Sequence, residues 1–152
     1  MHTVRKLFPK FDYTWLADEI RDFLPNELDF LKEAANCKRA GDMFAGRTDV
    51  VVPRIYDHLS SSRVLVMSFE NGSYANDVAA IKAAGLKNAD VAALVSTVFS
   101  EQIFVHGLVH CDPHAANMLI RRGPDAKPQL VLLDHGTYRC VSHCFAVTAP
   151  AM

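Results

Sequence analysis

Residues 110–117 read HCDPHAAN and form the densest polar cluster in an otherwise apolar part of the chain. Two short β-rich runs follow, at residues 118–120 and 130–133, with a turn-rich segment between them. Apolar runs on either side of such a turn predict an antiparallel hairpin. Asn117 would then just precede the first strand, and Asp134 would just follow the second. We therefore expect their side chains to meet at the open end of the hairpin.

The side chains expected at this end of the hairpin suit metal-assisted chemistry on a phosphate. The carboxylate of Asp134 and the carboxamide oxygen of Asn117 are hard oxygen donors of the kind that Mg²⁺ prefers. Asp112 could orient or deprotonate a hydroxyl that attacks a γ-phosphate, as the Asp of a kinase catalytic loop does. The spacing Asp-x4-Asn alone is weak evidence for a kinase site. Here it is followed by a strand, a turn, a second strand and Asp-x-Gly, which is the order of the catalytic and metal-binding loops in kinases. The simpler alternative is that these residues only cap turns and end a strand.

Composition excludes several other classes of function. The chain has 152 residues, with 16 Lys and Arg against 17 Asp and Glu, so its formal net charge is −1. No broad electrostatic field is available to hold nucleic acid. The longest uncharged run, residues 140–152, is shorter than the roughly 20 apolar residues of a membrane span. Four cysteines are too few and too unevenly spaced for a disulfide framework, and Cys140, His143 and Cys144 lack the second pair of ligands that a zinc finger needs.

The first half of the chain is predicted to contain two helices and a hairpin. Apolar residues recur at helical spacing over residues 15–24, and Pro25 cannot continue a helix interior. Asn26 is predicted to cap a second helix that runs towards Gly46, a natural stop residue. Residues 50–67 contain two β-rich runs around a serine turn, which predicts a first hairpin.

Two further helices are predicted between that hairpin and the polar cluster. Residues 77–84 suggest a short helix that stops at Gly85, and residues 91–105 suggest a longer one that ends at Gly107. Apolar residues lie on nearly all sides of the longer segment, which predicts a buried helix.

Three motifs resemble those of the UbiB/ADCK-like (aarF-domain-containing) atypical protein kinase family. The cluster HCDPHAAN at residues 110–117 resembles the family's His-x-Asp-Pro-His-Pro-Gly-Asn loop. The residues LDHG at 133–136 resemble its metal loop, where many members have Asp-Phe-Gly, and ELDFLKEA at 27–34 is similar to its Glu-x-Asp signature and the helix Glu that follows. The motifs stand in the family's order and extend the resemblance over residues 8–138.

The resemblance implies an α+β, protein-kinase-like fold that is only partly present in this chain. Residues 1–138 would be a partial kinase domain, with the end of the N-lobe in residues 8–70 and the first part of the C-lobe in residues 71–138. Residues 139–152 no longer resemble the family and are expected to be a divergent tail. We therefore expect a truncated member or an internal fragment of a longer domain.

The resemblance also implies roles for individual residues. Asp112 would be the catalytic-loop Asp, and Asn117 and Asp134 would complete the catalytic set by binding Mg²⁺. Glu33 would be the helix Glu that pairs with an ATP-anchoring Lys.

The remaining cofactor-binding residues that the resemblance implies are Glu27 and Asp29, from the family's own signature facing the active site, and Met67, near the gatekeeper position beside adenine. On a helix, Asp29 and Glu33 would repel each other across one turn unless a cation intervened. Alternatively, Lys32 pairs with Asp29 while Glu33 points to water, and the sequence leaves both interpretations open.

The family is associated with ATP binding or hydrolysis and with coenzyme Q or other isoprenoid-lipid metabolism. The expected cofactors are therefore ATP and Mg²⁺, and a lipid or a quinone-pathway protein is a possible partner. Mitochondrion or plastid is the location implied by resemblance. We expect no nucleic-acid partner and no transmembrane segment.

Some features depart from the family and leave alternative functions open. No segment matches the family's Lys-x-Gly-Gln motif, its Ala-rich nucleotide loop or its ATP-anchoring Lys, and Ala115 and Ala116 replace the usual Pro-Gly. We therefore expect this chain alone to have weak or no phosphotransferase activity, and a non-catalytic, pseudokinase-like binding module is the main alternative. His135, where many members have Phe, could pack beneath the metal loop or titrate near neutral pH.

A metal-dependent hydrolase is a further alternative. His106, His110 and His114 recur every four residues and, with Asp112, could bind Zn²⁺. They would align only on a continuous helix, which Gly107 and Pro113 oppose.

Overall fold

The computed structural model describes residues 29–141. These residues form three α-helices and six short strands: α1 Phe30–Met43, β1 Val50–Val51, β2 Ser73–Tyr74, α2 Val78–Ala83, α3 Asn88–Glu101, β3 Leu108–His110, β4 Met118–Arg122, β5 Pro128–Leu132 and β6 Tyr138–Cys140. The helix predicted over residues 15–24 and its end at Pro25 lie outside the described residues, as do Asn26 and Glu27. None of the described helices has the length and hydropathy that crossing a membrane requires.

Strands β4 and β5 form the predicted hairpin. They pair antiparallel, with Met118 opposite Leu132 and Arg122 opposite Pro128. This pair is the centre of a four-stranded sheet in the order β1-β5-β4-β2, while β3 and β6 form a separate two-stranded sheet. The second sheet includes Arg139 and Cys140, the first two residues of the predicted tail.

The main core lies between this four-stranded sheet and helices α2 and α3. Leu130, Val131 and Leu132 of β5 are at most 1% exposed, as expected for a central strand that is covered on both faces. On one face, Leu130 and Leu132 belong to the same apolar cluster as Val91 and Val98 of α3. The burial of α3 against β5 therefore fixes the position of the hairpin whose open end carries the candidate site.

Helix α3 is less buried than the sequence suggested. Its inward residues Val91, Leu94 and Val98 are buried, but Ala92 and Ala93 on the outward side are exposed. Small side chains on that face raise the mean hydropathy without forming a second packing surface, so the prediction of a helix buried on nearly all sides was wrong.

The end predicted for this helix is confirmed. After α3, residues Gln102–His106 form one wider π-helical turn, and Gly107 ends the turn with a left-handed φ of 62°. The short helix α2 is confirmed as well, because the Asp77 side chain accepts the Ala80 N–H at its start and Gly85 has a φ of 72° after its end.

Helix α1 begins later than predicted. Asp29 has extended backbone angles, and its Oδ1 accepts the N–H of Leu31 at 3.1 Å. Asp29 is therefore the N-cap in place of Asn26, because its carboxylate satisfies a backbone donor that the first helical turn leaves free. Since Asp29 precedes the helix, it does not share a helical face with Glu33, and the predicted repulsion across one turn was wrong.

The first predicted hairpin is only partly correct. Strand β1 pairs in parallel with β5 instead of joining the hairpin. Pro53 follows it, and proline has no N–H to donate to a ladder. The second part of the segment does fold back antiparallel, with Tyr56 donating to the carbonyl of Val66 at 2.9 Å and Ser68 donating to that of Arg54 at 2.8 Å.

Two glycines give a matched test of this packing. A Cβ at Gly72 would lie 2.8 Å from the Cβ of Leu119 and 3.2 Å from the carbonyl oxygen of Ile120, whereas a Cβ at Gly41 in α1 would meet nothing within 4 Å. We expect Gly72→Ala to lower the free energy of unfolding by about 1–3 kcal/mol because strand β4 must shift. We expect Gly41→Ala to raise it by about 0.5–1 kcal/mol because alanine loses less backbone entropy in a helix. Urea unfolding followed by circular dichroism measures both, and equal midpoints would contradict the close approach at Gly72.

Candidate active site

The open end of the β4–β5 hairpin brings two loops together. One loop joins β3 to β4 and contains Asp112 and Asn117, and the other follows β5 and contains Asp134. The N–H of Leu133 donates to the carbonyl of Asn117 at 2.9 Å, so the two backbones are adjacent where the strands end. The two loops are therefore adjacent, as the hairpin predicts, while the meeting of the Asn117 and Asp134 side chains and the roles of the three residues stay predictions.

Asp112 and Asn117 contact each other directly. The Nδ2 of Asn117 donates to the Oδ2 of Asp112 at 3.2 Å and to its backbone carbonyl at 3.4 Å. The carboxamide nitrogen is therefore directed at Asp112, and the carboxamide oxygen is the atom able to meet a cation. Asp112 is exposed, so its carboxylate is accessible to a substrate.

His110 connects the two loops. Its Nδ1 accepts the backbone N–H of Asp112 at 3.0 Å, and its Nε2 lies 2.8 Å from the carbonyl oxygen of Asp134. A carbonyl only accepts, so the ring is the neutral Nε2–H tautomer. The ring is 3% exposed and packs against Phe99 and Tyr138, with centroids 6.1 and 5.1 Å away. The sequence analysis included His110 in the loop motif and considered it as a zinc ligand, but it missed this structural role.

The three histidines of the hydrolase alternative do not converge. Both ring nitrogens of His110 are in hydrogen bonds, the ring of His106 packs edge-on against Phe44, and the Nδ1 of His114 accepts the N–H of Ala116. Within residues 29–141, no group of three or more His, Cys, Asp or Glu side chains is arranged to hold a metal ion. The geometry therefore gives no support to a zinc hydrolase.

The loop that carries Asp134 makes a tight turn. The Oδ1 of Asp134 accepts the N–H of Gly136 at 2.8 Å, and a Cβ on Gly136 would lie 3.3 Å from that oxygen. A side chain at this position would press on the carboxylate. The glycine therefore lets one oxygen of Asp134 bind the backbone of its own loop.

His135 packs beneath this loop. Its Nε2 lies 3.0 Å from the carbonyl oxygen of Leu132, its Nδ1 lies 3.1 Å from the Tyr138 hydroxyl, and its ring stacks on that of Tyr138. The side chain is fully buried, and burial lowers its pKa to about 4. Of the two interpretations left open by the sequence, packing under the loop is therefore confirmed, and titration near neutral pH is not. Burial also raises the pKa of Tyr138, which keeps this hydroxyl protonated.

Helix α1 holds the backbone of His135 from the other side. The Oε1 of Glu33 accepts the His135 N–H at 3.4 Å, and the Nδ2 of Asn36 donates to the His135 carbonyl at 3.0 Å. Burial raises the pKa of Glu33, and the negative charge of Asp134 raises it further. Glu33 therefore lies near Asp134, while its pairing with an ATP-anchoring Lys stays a prediction. Asn36 was not predicted, although its position three residues after Glu33 places it on the same helix face.

In the described part of the chain, the side chains of the other predicted cofactor-binding residues form no hydrogen bond or ion pair with those of Asp112, Asn117, Asp134 or Glu33. The carboxylate of Asp29 caps α1, and Met67 is half-buried beside a small cluster of Ala34, Cys37 and Ile55. Glu27 lies outside the described residues.

The contact of Asn36 with the Asp134 loop predicts a sensitive substitution. Asn36→Asp replaces a donor with an acceptor facing the His135 carbonyl and adds a negative charge near Glu33 and Asp134. We expect a loss of about 1–3 kcal/mol of unfolding free energy, because a buried polar group loses its partner. Thermal and urea unfolding measure this loss. Asn76→Asp is the control, since Asn76 is exposed, and equal losses in the two variants would contradict the assigned contact.

Comparison with known proteins finds one family that matches nearly the whole chain. Residues 1–149 match the family model of the ABC1 atypical kinase-like domain. A protein of Arabidopsis thaliana named after the same ABC1 domain is 45% identical over 152 aligned residues, which cover 91% of this chain and 28% of that protein. AarF domain-containing protein kinase 1 of Xenopus tropicalis is 40% identical over 146 residues, covering 95% of this chain and 28% of that protein. The chain thus spans little more than a quarter of the length of these relatives.

A solved structure shares the fold. A Mycobacterium tuberculosis protein, solved in complex with erythromycin, superposes with a TM-score of 0.65 at 23% identity, covering 90% of this chain and 33% of that one. At this level of identity the similarity concerns the fold alone, which is α+β and kinase-like. The match along residues 1–149 shows that this chain belongs to the ABC1 atypical kinase-like family.

Proposed function

We propose that this chain carries the catalytic loop and the metal loop of an atypical kinase that transfers or hydrolyses the γ-phosphate of ATP with Mg²⁺. The observation that carries the proposal is the bridge made by His110. One ring contacts the backbone of Asp112 on one side and of Asp134 on the other. Phosphoryl transfer depends mainly on positioning and electrostatics. A side chain that holds both loops in place would therefore serve this chemistry.

The donor set fits a magnesium ion. The carboxamide oxygen of Asn117 and the carboxylate of Asp134 would hold Mg²⁺, which usually takes one or two protein ligands and fills its other positions with phosphate oxygens and water. When bound, the ion would neutralise charge on the ATP phosphates. One oxygen of Asp134 is already committed to the N–H of Gly136, which leaves the other for the ion.

Asp112 has the position of a base. Its Oδ2 accepts a hydrogen bond from Asn117, so Oδ1 is the atom that would accept the proton of an attacking hydroxyl or water. The bond from Asn117 also limits rotation of the carboxylate. Removing the base and removing the metal ligand are therefore expected to have different effects: the first on transfer, the second on nucleotide binding.

Glu33 would accept a lysine that anchors ATP. Its carboxylate is partly buried near Asp134, and burial with a like charge raises its pKa, so a nearby cation would favour its ionised form. None of the 152 residues matches the family's ATP-anchoring Lys or Ala-rich loop. We therefore propose that this chain alone binds Mg-ATP weakly and transfers little phosphate.

The metabolic role, partner and location proposed for this chain come from its family. By resemblance, we propose a link to coenzyme Q or other isoprenoid-lipid metabolism, a lipid or quinone-pathway protein as partner, and a mitochondrial or plastid location.

Titration calorimetry with Mg-ATP tests the assigned site. We expect weak binding by the wild-type chain, loss of binding in Asp134→Ala, and retained binding in Asp112→Asn, since Asp112 is assigned to proton transfer. Asp125→Ala is the matched control, because Asp125 is exposed in the β4–β5 turn. Binding that survives Asp134→Ala contradicts the metal role. A cooperative thermal transition without any Mg-ATP binding would instead favour the non-catalytic binding module.

A further inference from the structure

Gln102 is a buried amide with only half of its hydrogen-bonding capacity in use. Its side chain is 0% exposed, and its Oε1 accepts the backbone N–H of His110 at 2.8 Å. Its Nε2 has no partner among the described residues. Buried polar groups are almost always paired, and the bond from the His110 N–H is what this side chain provides that an apolar residue of the same size could not.

The position of Gln102 in the chain explains what its oxygens do. Gln102 is the first residue of the π-helical turn after α3, and its backbone carbonyl accepts the N–H of Gly107 at the end of that turn. Its side-chain oxygen then reaches His110, eight residues along the chain. One residue therefore holds both the end of the turn and the last residue of β3. Turns of this kind are enriched at functional sites.

The contact with His110 extends to both loops of the candidate site. The backbone of His110 determines where its ring lies, and that ring binds the N–H of Asp112 and the carbonyl of Asp134. A displacement of the His110 backbone would therefore move the proposed base and the proposed metal ligand together.

We propose that Gln102 is a positioning residue for the phosphoryl-transfer site, acting through its Oε1 on His110. This inference rests on the proposed function for its consequence in nucleotide binding, while the positioning itself is structural. The acceptor oxygen is the essential atom, and the unpartnered amide nitrogen is dispensable.

Two substitutions of similar volume separate these atoms. Gln102→Met fills the same space without an acceptor, whereas Gln102→Glu keeps an acceptor for the His110 N–H. A glutamic acid buried here would be protonated, because burial disfavours its charged form. A role limited to filling the core predicts that methionine replaces glutamine well. The positioning role predicts that methionine replaces glutamine poorly and that glutamic acid replaces it well.

Hydrogen exchange measured by mass spectrometry on the purified chain tests the proposal without any ligand. In Gln102→Met we expect exchange in residues 108–117 to become faster by about tenfold or more, because the His110 N–H loses its acceptor. Exchange in Gln102→Glu is expected to stay within about twofold of wild type, and helix α2 serves as the internal control in every sample. Mg-ATP binding, measured in parallel, is expected to be lost in Gln102→Met and retained in Gln102→Glu.

Unchanged exchange in Gln102→Met would overturn the proposal, and so would a Gln102→Glu variant as fast as Gln102→Met. If Gln102→Met does not fold, Gln102→Asn replaces it, because the shorter side chain withdraws the same acceptor and predicts the same local increase. The expected exchange pattern without Mg-ATP binding by the wild-type chain would contradict the proposed function and leave the positioning role intact.

Discussion

His110→Phe is expected to lower the free energy of unfolding by about 2–4 kcal/mol, because two polar groups lose their partner at once. The phenyl ring retains the contacts with Phe99 and Tyr138. It offers nothing to the N–H of Asp112 or to the carbonyl of Asp134, which the imidazole binds at 3.0 and 2.8 Å. That loss is a large share of the roughly 5–15 kcal/mol by which domains are stable.

Urea unfolding and Mg-ATP titration together check this result. His58→Phe is the control, because His58 is exposed outside the site, and we expect it to change stability by less than about 0.5 kcal/mol. His110→Phe is also expected to abolish Mg-ATP binding, since the two loops would no longer share a common support. A His110→Phe chain as stable as wild type would show that the ring acts only by filling space.

Acidification is expected to destabilise the chain through His135. Burial keeps this imidazole neutral and lowers its pKa from 6.5 to about 4. In the unfolded chain the same group takes up a proton below about pH 6.5. Between these two values the unfolded state binds more protons, so stability falls as pH falls. Above about pH 6.5 His135 is neutral in both states and causes no loss of stability. The loss grows as the pH falls and reaches about 3 kcal/mol below about pH 4.

His135→Phe isolates this effect. Phenylalanine does not titrate, and it is the residue that many relatives carry at this position, by the resemblance of the metal loop. We expect the difference in unfolding free energy between wild type and variant to shift by about 1–2 kcal/mol between pH 7 and pH 5.5. Glu33, Asp134, His110 and Tyr138 face the same site and are present in both chains, so the comparison isolates the imidazole of His135. A difference that does not change with pH would contradict the buried neutral state.

Much of the site was predictable because it is encoded locally. The polar cluster at residues 110–117, the turn after β4 and the apolar runs around it specify the hairpin and its open end through patterns only a few residues long. The same holds for α2, whose cap at Asp77 and stop at Gly85 flank it directly. Those signals need no knowledge of the rest of the chain.

The predictions were wrong where two nearby residues could fill the same role, or where a segment distant in the chain determines the pairing or the burial. Asn26 and Asp29 are both good capping residues, and the structure uses Asp29. The apolar residues 50 and 51 suit any strand, and their pairing with β5 depends on a segment eighty residues away in the chain. Helix α3 is rich in apolar residues, but its outward side also carries Ser96 and Thr97, and only the side that faces the sheet is buried.

The sequence by itself therefore determined the order of the loops, the hairpin and the identity of Asp112, Asn117, Asp134 and Glu33 as candidates. Only the tertiary structure decided how they are held. Glu33 and Asn36 reach His135 across 102 and 99 residues of chain, and the imidazole of His110 meets a carbonyl 24 residues away. These contacts depend on how helices α1 and α3 pack around the two loops, and no short-range pattern carries that information, because each contact forms only after the surrounding core is in place.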